Sequence, residues 1–188
     1  MYIDHDKKIV FIHIPRTGGS TIKDALGLYD KIYKKGLHHL SAVDIPDVCK
    51  DYFKFAFVRN PWDRFVSLYF YNKSDWYQHT FSNRDESKIA KKYEFKDWLN
   101  FYPKLENVLY LYKDVQQVNY GLDLVDFVGR YENLQKDFDI HFEEAGTLGV
   151  VNKTKHKFYT YYYDEESINE VYTLCKEDID VFKYEYGE

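Results

Sequence analysis

The chain has 188 residues, 45% of them hydrophobic and 30% charged, which suits one globular domain with a real core, spanning residues 1–188, and argues against disorder. Its formal net charge of −5 argues against a general nucleic-acid binder, which would carry a basic face. A small anionic ligand remains compatible, because local cations and backbone N–H groups suffice to hold one.

Cys49 and Cys175 have no metal-ligand spacing and suggest no disulfide framework, so a reducing compartment is the simpler inference. Residues 1–8 read as a polar, charged segment rather than a signal peptide. No apolar run approaches the roughly 20 residues that span a bilayer. The expected setting is the cytoplasm. Twenty Tyr and fourteen Phe are the compositional outlier. Most are expected at the boundary of the core, where a ring packs and a hydroxyl stays wet.

In chain order, residues 9–14 (IVFIHI) form a β-branched apolar run closed by Pro15, the pattern of a buried parallel strand. A glycine pair and Ser20-Thr21 follow, then a helical stretch over 22–28, with Ser20 or Thr21 placed to cap it. Residues 34–48 read as a loop. A second strand, 52–58, ends in Arg59-Asn60-Pro61 and passes into a helix over 62–71. The stretch 72–87 is polar and reads as a mobile surface excursion. A short helix at 95–101, strands at 108–112 and 124–128, a turn at 119–121, a helix over 132–145, a basic loop at 152–157 and a last helix at 164–182 complete the chain. Two strand–turn–helix units predict an α/β fold, a parallel sheet flanked by crossover helices. There is no internal repeat and no linker.

Two segments carry the chemistry. Pro15-Arg16-Thr17-Gly18-Gly19-Ser20-Thr21 lies between a strand and a helix. Glycines permit close backbone approach, the helix N-terminus presents N–H groups and partial positive charge, and Arg16 adds a planar cationic fork. That suits a phosphate or phosphosulfate. The spacing is not that of a Walker A loop, which weakens a kinase or ATPase reading. The second segment is RNPWDRFVS, residues 59–67. Arg59 ends a strand and Ser67 lies about two turns into the next helix, so the pair could grip one anion. Taken singly, Ser67 reads as a solvated hydroxyl and Arg64 as a partner of Asp63 or Asp97.

FIHIPRTGGST followed by FAFVRNPWDRFVSLY resembles the two segments with which sulfotransferases bind 3′-phosphoadenosine-5′-phosphosulfate (PAPS), and FVGRYENLQKDF and NKTKH are similar to later parts of the carbohydrate and heparan sulfate O-sulfotransferase branch. The resemblance implies a P-loop-like, three-layer α/β/α fold. It implies that Thr17, Gly18, Gly19, Ser20 and Thr21 surround the 5′-phosphosulfate, that Arg59 and Ser67 hold the 3′-phosphate, that Tyr131 lies near the adenine and that Lys155 belongs to a loop closing over the nucleotide. Arg16 stands where family members commonly carry Lys; it can stabilise charge on the leaving oxygen but is a poor proton donor. His39, in HHLSA, matches the branch's catalytic base, with His38 its rival by one residue and His13, on a strand, a weaker candidate.

The expected activity is sulfuryl transfer from PAPS to an acceptor hydroxyl, on a carbohydrate, without metal. A kinase built on the same cradle and a non-catalytic binder of PAPS or sulfated glycan are the alternatives. The basic stretch Lys73, Arg84, Lys88, Lys91 and Lys92, and the tyrosines at 159 and 161–163, offer themselves to a sugar or simply to solvent and core. Oligomeric state is not legible.

Overall fold

In the computed structural model, which describes residues 1–35, 37–105, 116–149, 151 and 154–188, four strands are Tyr2–Asp4 (β1), Ile9–Ile12 (β2), Phe53–Val58 (β3) and Phe127–Arg130 (β4). The helices are α1 (Gly19–Leu26), α2 (Pro61–Asn72), α3 (Asp75–Phe81), α4 (Asp85–Lys92), α5 (Phe95–Phe101), α6 (Leu134–Phe142), α7 (Glu165–Leu174) and α8 (Lys176–Phe182). The chain packs as two compact units. Met1–Arg59 with Gln117–Lys153 holds the sheet, α1 and α6, and Asn60–Gln116 with Thr154–Glu188 holds the other helices.

In the first unit the sheet order is β1-β2-β3-β4. β2 pairs with β3 and β3 with β4 in parallel, as the strand–turn–helix pattern predicts, with Phe11 opposite Phe55 and Val58 opposite Arg130. One sheet face is almost entirely aromatic and aliphatic: Ile9, Phe11, Phe55 and Phe57 pack with Ile22 and Leu26 of α1 and Phe138 of α6. Phe11 stacks on Phe55 at 5.0 Å between centroids, an offset pairing that suits aromatic quadrupoles. Gly129 leaves room for this packing, because a Cβ there would lie 2.4 Å from the Phe57 ring.

β1 is a correction to the sequence reading of a polar leading segment. It pairs antiparallel with β2, and Met1, Tyr2, Ile3 and Asp4 are all buried. Charge hid the strand, since residues 4–8 supply its turn: Asp4 Oδ1 accepts the N–H groups of Asp6 (2.9 Å) and Lys7 (3.0 Å), and Lys8 takes a positive φ of 52°.

In the second unit, Asn60 Oδ1 caps α2 by accepting from the Trp62 N–H, with Pro61 at the first helical position. Tyr69, Phe95, Trp98 and Tyr102 form an aromatic core, Trp98 stacking on Tyr102 at 4.5 Å. The stretch 72–87, expected as a surface excursion without regular structure, contains α3 and the start of α4. Ser74 caps α3, Lys88 pairs with Asp85 at 3.0 Å, and the Tyr77 hydroxyl donates to the buried Glu86 at 2.9 Å. Local polar pairing joins ring packing here, with Tyr77 5.0 Å from Tyr71 and 4.8 Å from Phe81 between centroids. The terminal helix is two helices, broken at Cys175, whose N–H bonds Val171 and whose carbonyl starts α8 through Ile179. The strand expected at 108–112 and part of the basic loop at 152–157 lie outside the described residues.

The β1 turn yields a test. Asp4→Ala removes two backbone hydrogen bonds at a buried side chain and is expected to cost about 1–2 kcal/mol, whereas Asp4→Asn keeps an acceptor and most of the stability. Urea denaturation midpoints of the two variants, at unchanged m, check this.

Candidate active site

The strand-to-helix loop is built from inside. Thr17 is buried, and its hydroxyl donates back to the Ile14 carbonyl at 3.0 Å, tying the loop to the end of β2. Arg16 (φ 67°) and Gly18 (φ 85°) both take the left-handed conformation, which curls the backbone into the first turn of α1. For Arg16 that conformation costs on the order of 1–2 kcal/mol. Gly18 is the helix N-cap, a correction to the expected capping by Ser20 or Thr21, which lie inside α1. The Gly18 carbonyl accepts from the N–H groups of Thr21 (2.9 Å) and Ile22 (3.2 Å). The Thr21 N–H is therefore spent on the helix rather than on a ligand, and its hydroxyl oxygen accepts from Val151 at 3.3 Å. The Thr21 hydroxyl hydrogen is not used in that bond, and Thr17 to Ser20 lead into Thr21 along the loop.

The two glycines are explained by their neighbours. A Cβ on Gly18 would meet Tyr131 and Leu134 at 3.1 Å, and one on Gly19 would fall 1.9 Å from His13 Cδ2. Tyr131 and His13 thus pack directly against the loop. Arg59, at 5% exposure, joins them: its Nη1 donates to the Arg16 carbonyl at 3.1 Å, and its guanidinium carbon lies 4.0 Å from the Tyr131 ring centroid. The structure therefore brings Arg16, Gly18, Gly19, Arg59 and Tyr131 into one connected group within the first unit.

The histidines sort themselves by hydrogen bonding. His39 Nδ1 lies 2.6 Å from the His13 carbonyl. A carbonyl only accepts, so Nδ1 carries the proton, and in the neutral ring Nε2 is then the basic nitrogen. The His13 ring sits 4.4 Å from that of His39, with a buried, partnerless Nδ1. Burial foremost, and then the neighbouring His39, holds the His13 imidazole well below the usual histidine range. Its ring faces Gly19 and its carbonyl faces His39 Nδ1. His38 instead pairs its Nδ1 with the Tyr2 hydroxyl at 2.9 Å, and its carbonyl accepts from the Met1 amine.

Ser67 and Lys155 belong to the second unit. There, Ser67 is fully buried in α2 with its Oγ 3.5 Å from Thr154 Oγ1, and Lys155 is exposed on the same short segment. Of the tyrosines near 160, Tyr159 is buried and Tyr163 spends its hydroxyl on the Trp62 carbonyl, while Tyr161 is exposed with Lys157 Nζ 3.5 Å from its ring centroid. Gln117, buried and hydrogen-bonded to the Arg59 backbone, is a member of the site that no motif announced.

If the His13 ring is what requires glycine at position 19, Gly19→Ala will be destabilising by about 1–3 kcal/mol through overpacking. Adding His13→Ala should recover a good part of that loss, a non-additivity readable from denaturation midpoints of the single and double variants. Additive losses would place the obstruction elsewhere.

Comparison with known proteins agrees with this architecture. The model of the sulfotransferase family matches residues 1–185. Carbohydrate sulfotransferase 10 of Xenopus laevis is 22% identical over 240 aligned positions, covering 98% of this chain and 67% of that protein. An uncharacterized protein of Archaeoglobus fulgidus is 37% identical over 86 residues, 46% of this chain and 61% of its own length. The crystal structure of mouse sulfotransferase SULT7A1 complexed with PAP superimposes with a TM-score of 0.57 at 13% identity, over 97% of this chain and 89% of that one, and so shares its α/β fold. The family model covers both signature segments and nearly everything between and beyond them, and the chain belongs to the sulfotransferase family.

Proposed function

We propose that this protein transfers the sulfuryl group of PAPS to a hydroxyl of a carbohydrate, with His39 as general base. The observation that carries the reading is the connected group formed by the glycine loop, Arg59, Tyr131 and the tautomer-fixed His39 in one compact unit. PAP, the nucleotide in the mouse complex, is what such a transfer would leave behind.

The residues suit PAPS. The N-terminus of α1 and the Thr17–Ser20 backbone offer partial positive charge to a phosphosulfate. Arg59 offers a planar fork to a 3′-phosphate, and the ring of Tyr131 beside it suits an adenine. Ser67 and Lys155 are added on the sequence resemblance, to the 3′-phosphate and to the loop over the nucleotide. Bound PAPS supplies an activated sulfuryl group. His39 Nε2 takes the acceptor's hydroxyl proton as that oxygen bonds to sulfur and the bond from sulfur to the 5′-phosphate oxygen breaks. The electron pair leaves with that oxygen, where Arg16 and the α1 dipole stabilise it. The proton stays on His39 until solvent removes it.

A carbohydrate acceptor is favoured by the likeness to carbohydrate sulfotransferase 10.

Calorimetry with 3′-phosphoadenosine-5′-phosphate (PAP) and adenosine 5′-phosphate (AMP) tests the nucleotide assignment. PAP is expected to bind much the tighter, and Arg59→Ala to erase about 10- to 100-fold of that preference, the worth of a charge-assisted contact. Equal affinity for the two nucleotides overturns the reading, and magnesium-dependent ATP consumption would replace it with a kinase. In a labelled-sulfate transfer assay over a glycan panel, His39→Ala should lower the rate by about 10²–10⁴ while His38→Ala stays within a few-fold of the parent. The reverse ranking would move the base to His38.

A further inference from the structure

β3 ends at Val58, the last residue in register with β4. The next residue, Arg59, keeps both of its backbone groups bonded all the same. Gln117 Oε1 accepts the Arg59 N–H at 2.8 Å, and Gln117 Nε2 donates to the Arg59 carbonyl at 2.7 Å. One primary amide thus stands in for the missing strand neighbour, matching donor to acceptor and acceptor to donor around a single Cα. Gln117 itself is fully buried, at 0% exposure.

The arrangement is demanding. Glutamate could accept from the Arg59 N–H but would face the carbonyl with a second acceptor, and leucine would leave both backbone groups buried without these partners. A residue clamped on both sides of its Cα sends its side chain in one direction. From there the Arg59 guanidinium spans the Tyr131 ring at 4.0 Å and the Arg16 carbonyl at 3.1 Å. Arginine is rich in rotamers, so fixing its origin removes ordering cost that a bound anion would otherwise have to offset.

We infer that Gln117 is a positioning residue for nucleotide selection: by clamping the Arg59 backbone it sets the guanidinium where a 3′-phosphate is recognised. The inference rests on the PAPS reading and adds to it a residue outside both signature segments. It also separates two effects that a loosened fold would merge. Losing the clamp should weaken only ligands that carry a 3′-phosphate.

The experiment measures Kd for PAP and for AMP in the parent chain, Gln117→Leu and Gln117→Glu by calorimetry, with thermal melts alongside. Gln117→Leu is expected to weaken PAP by about tenfold or more, the worth of one to two hydrogen bonds, and to leave AMP within about twofold. Gln117→Glu, which keeps the bond to the Arg59 N–H, should fall between and serves as the test if the leucine variant does not fold. Parallel losses for PAP and AMP, or an undiminished PAP preference in either folded variant, overturn the role of Gln117 while leaving the PAPS reading standing. A parent chain that binds PAP and AMP alike overturns that reading, and the inference with it.

Discussion

The bond from the Arg59 guanidinium to the Arg16 carbonyl holds the site together, because it joins the end of one strand to the loop that follows another. Arg16 sits in a left-handed conformation that disfavours any residue but glycine, at a cost on the order of 1–2 kcal/mol. A hydrogen bond from a charged donor in a buried setting contributes about 1.5–3 kcal/mol, enough to hold that conformer. The same guanidinium lies on the Tyr131 ring, and Tyr131 packs against Gly18. Arg16, Arg59, Tyr131 and Gly18 are thus linked by direct contact.

The histidines extend the connection to the far side of the loop. Gly19 is bare because the His13 ring occupies the space of a side chain, and the His13 carbonyl selects the His39 tautomer. Keeping His13 neutral matters electrostatically. Two imidazoles 4.4 Å apart could not both carry charge at low cost, and burial puts that cost on His13 first. A buried histidine that would read as mere core filling is thus what orients the candidate base.

Much of this was legible in the sequence because it is written in local pattern. IVFIHI and YFKFAFV are strands by their β-branched and aromatic density, and β2 and β3 fall within one or two residues of those runs. Phe95–Phe101 is a helix with the expected bounds. Arg16, Arg59 and Tyr131 could be named from motifs, and the fold joins them. What escaped depends on partners distant in sequence. β1 looked like a charged tail because Asp4 spends its carboxylate on its own turn. α3 and α4 are short, and they are fixed by pairs such as Tyr77 with Glu86 and by Tyr77 packing between Tyr71 and Phe81. Gln117 is one of two adjacent glutamines, with nothing to mark it until Arg59, just past β3 and 58 residues earlier in the chain, lies beside it.

Arginine in place of lysine at position 16 bears on which catalytic device the proposed reaction needs. Lysine can give up a proton to a leaving group, whereas the guanidinium cannot do so near neutral pH. The leaving oxygen here would belong to a phosphate, whose last ionisation lies near pH of about 6. Such an oxygen is stable as an anion and gains little from being protonated as it departs. The demand at that end of the reaction is for fixed positive charge and N–H donors, which Arg16 and the first turn of α1 can meet. The demand at the other end is different in kind. A sugar hydroxyl is a weak acid and a poor nucleophile until its proton is drawn away, so proton transfer is concentrated on the acceptor side. In the proposed reaction, therefore, arginine at position 16 would be a mild change, and the His39 tautomer set by the His13 carbonyl would carry more of the burden of rate.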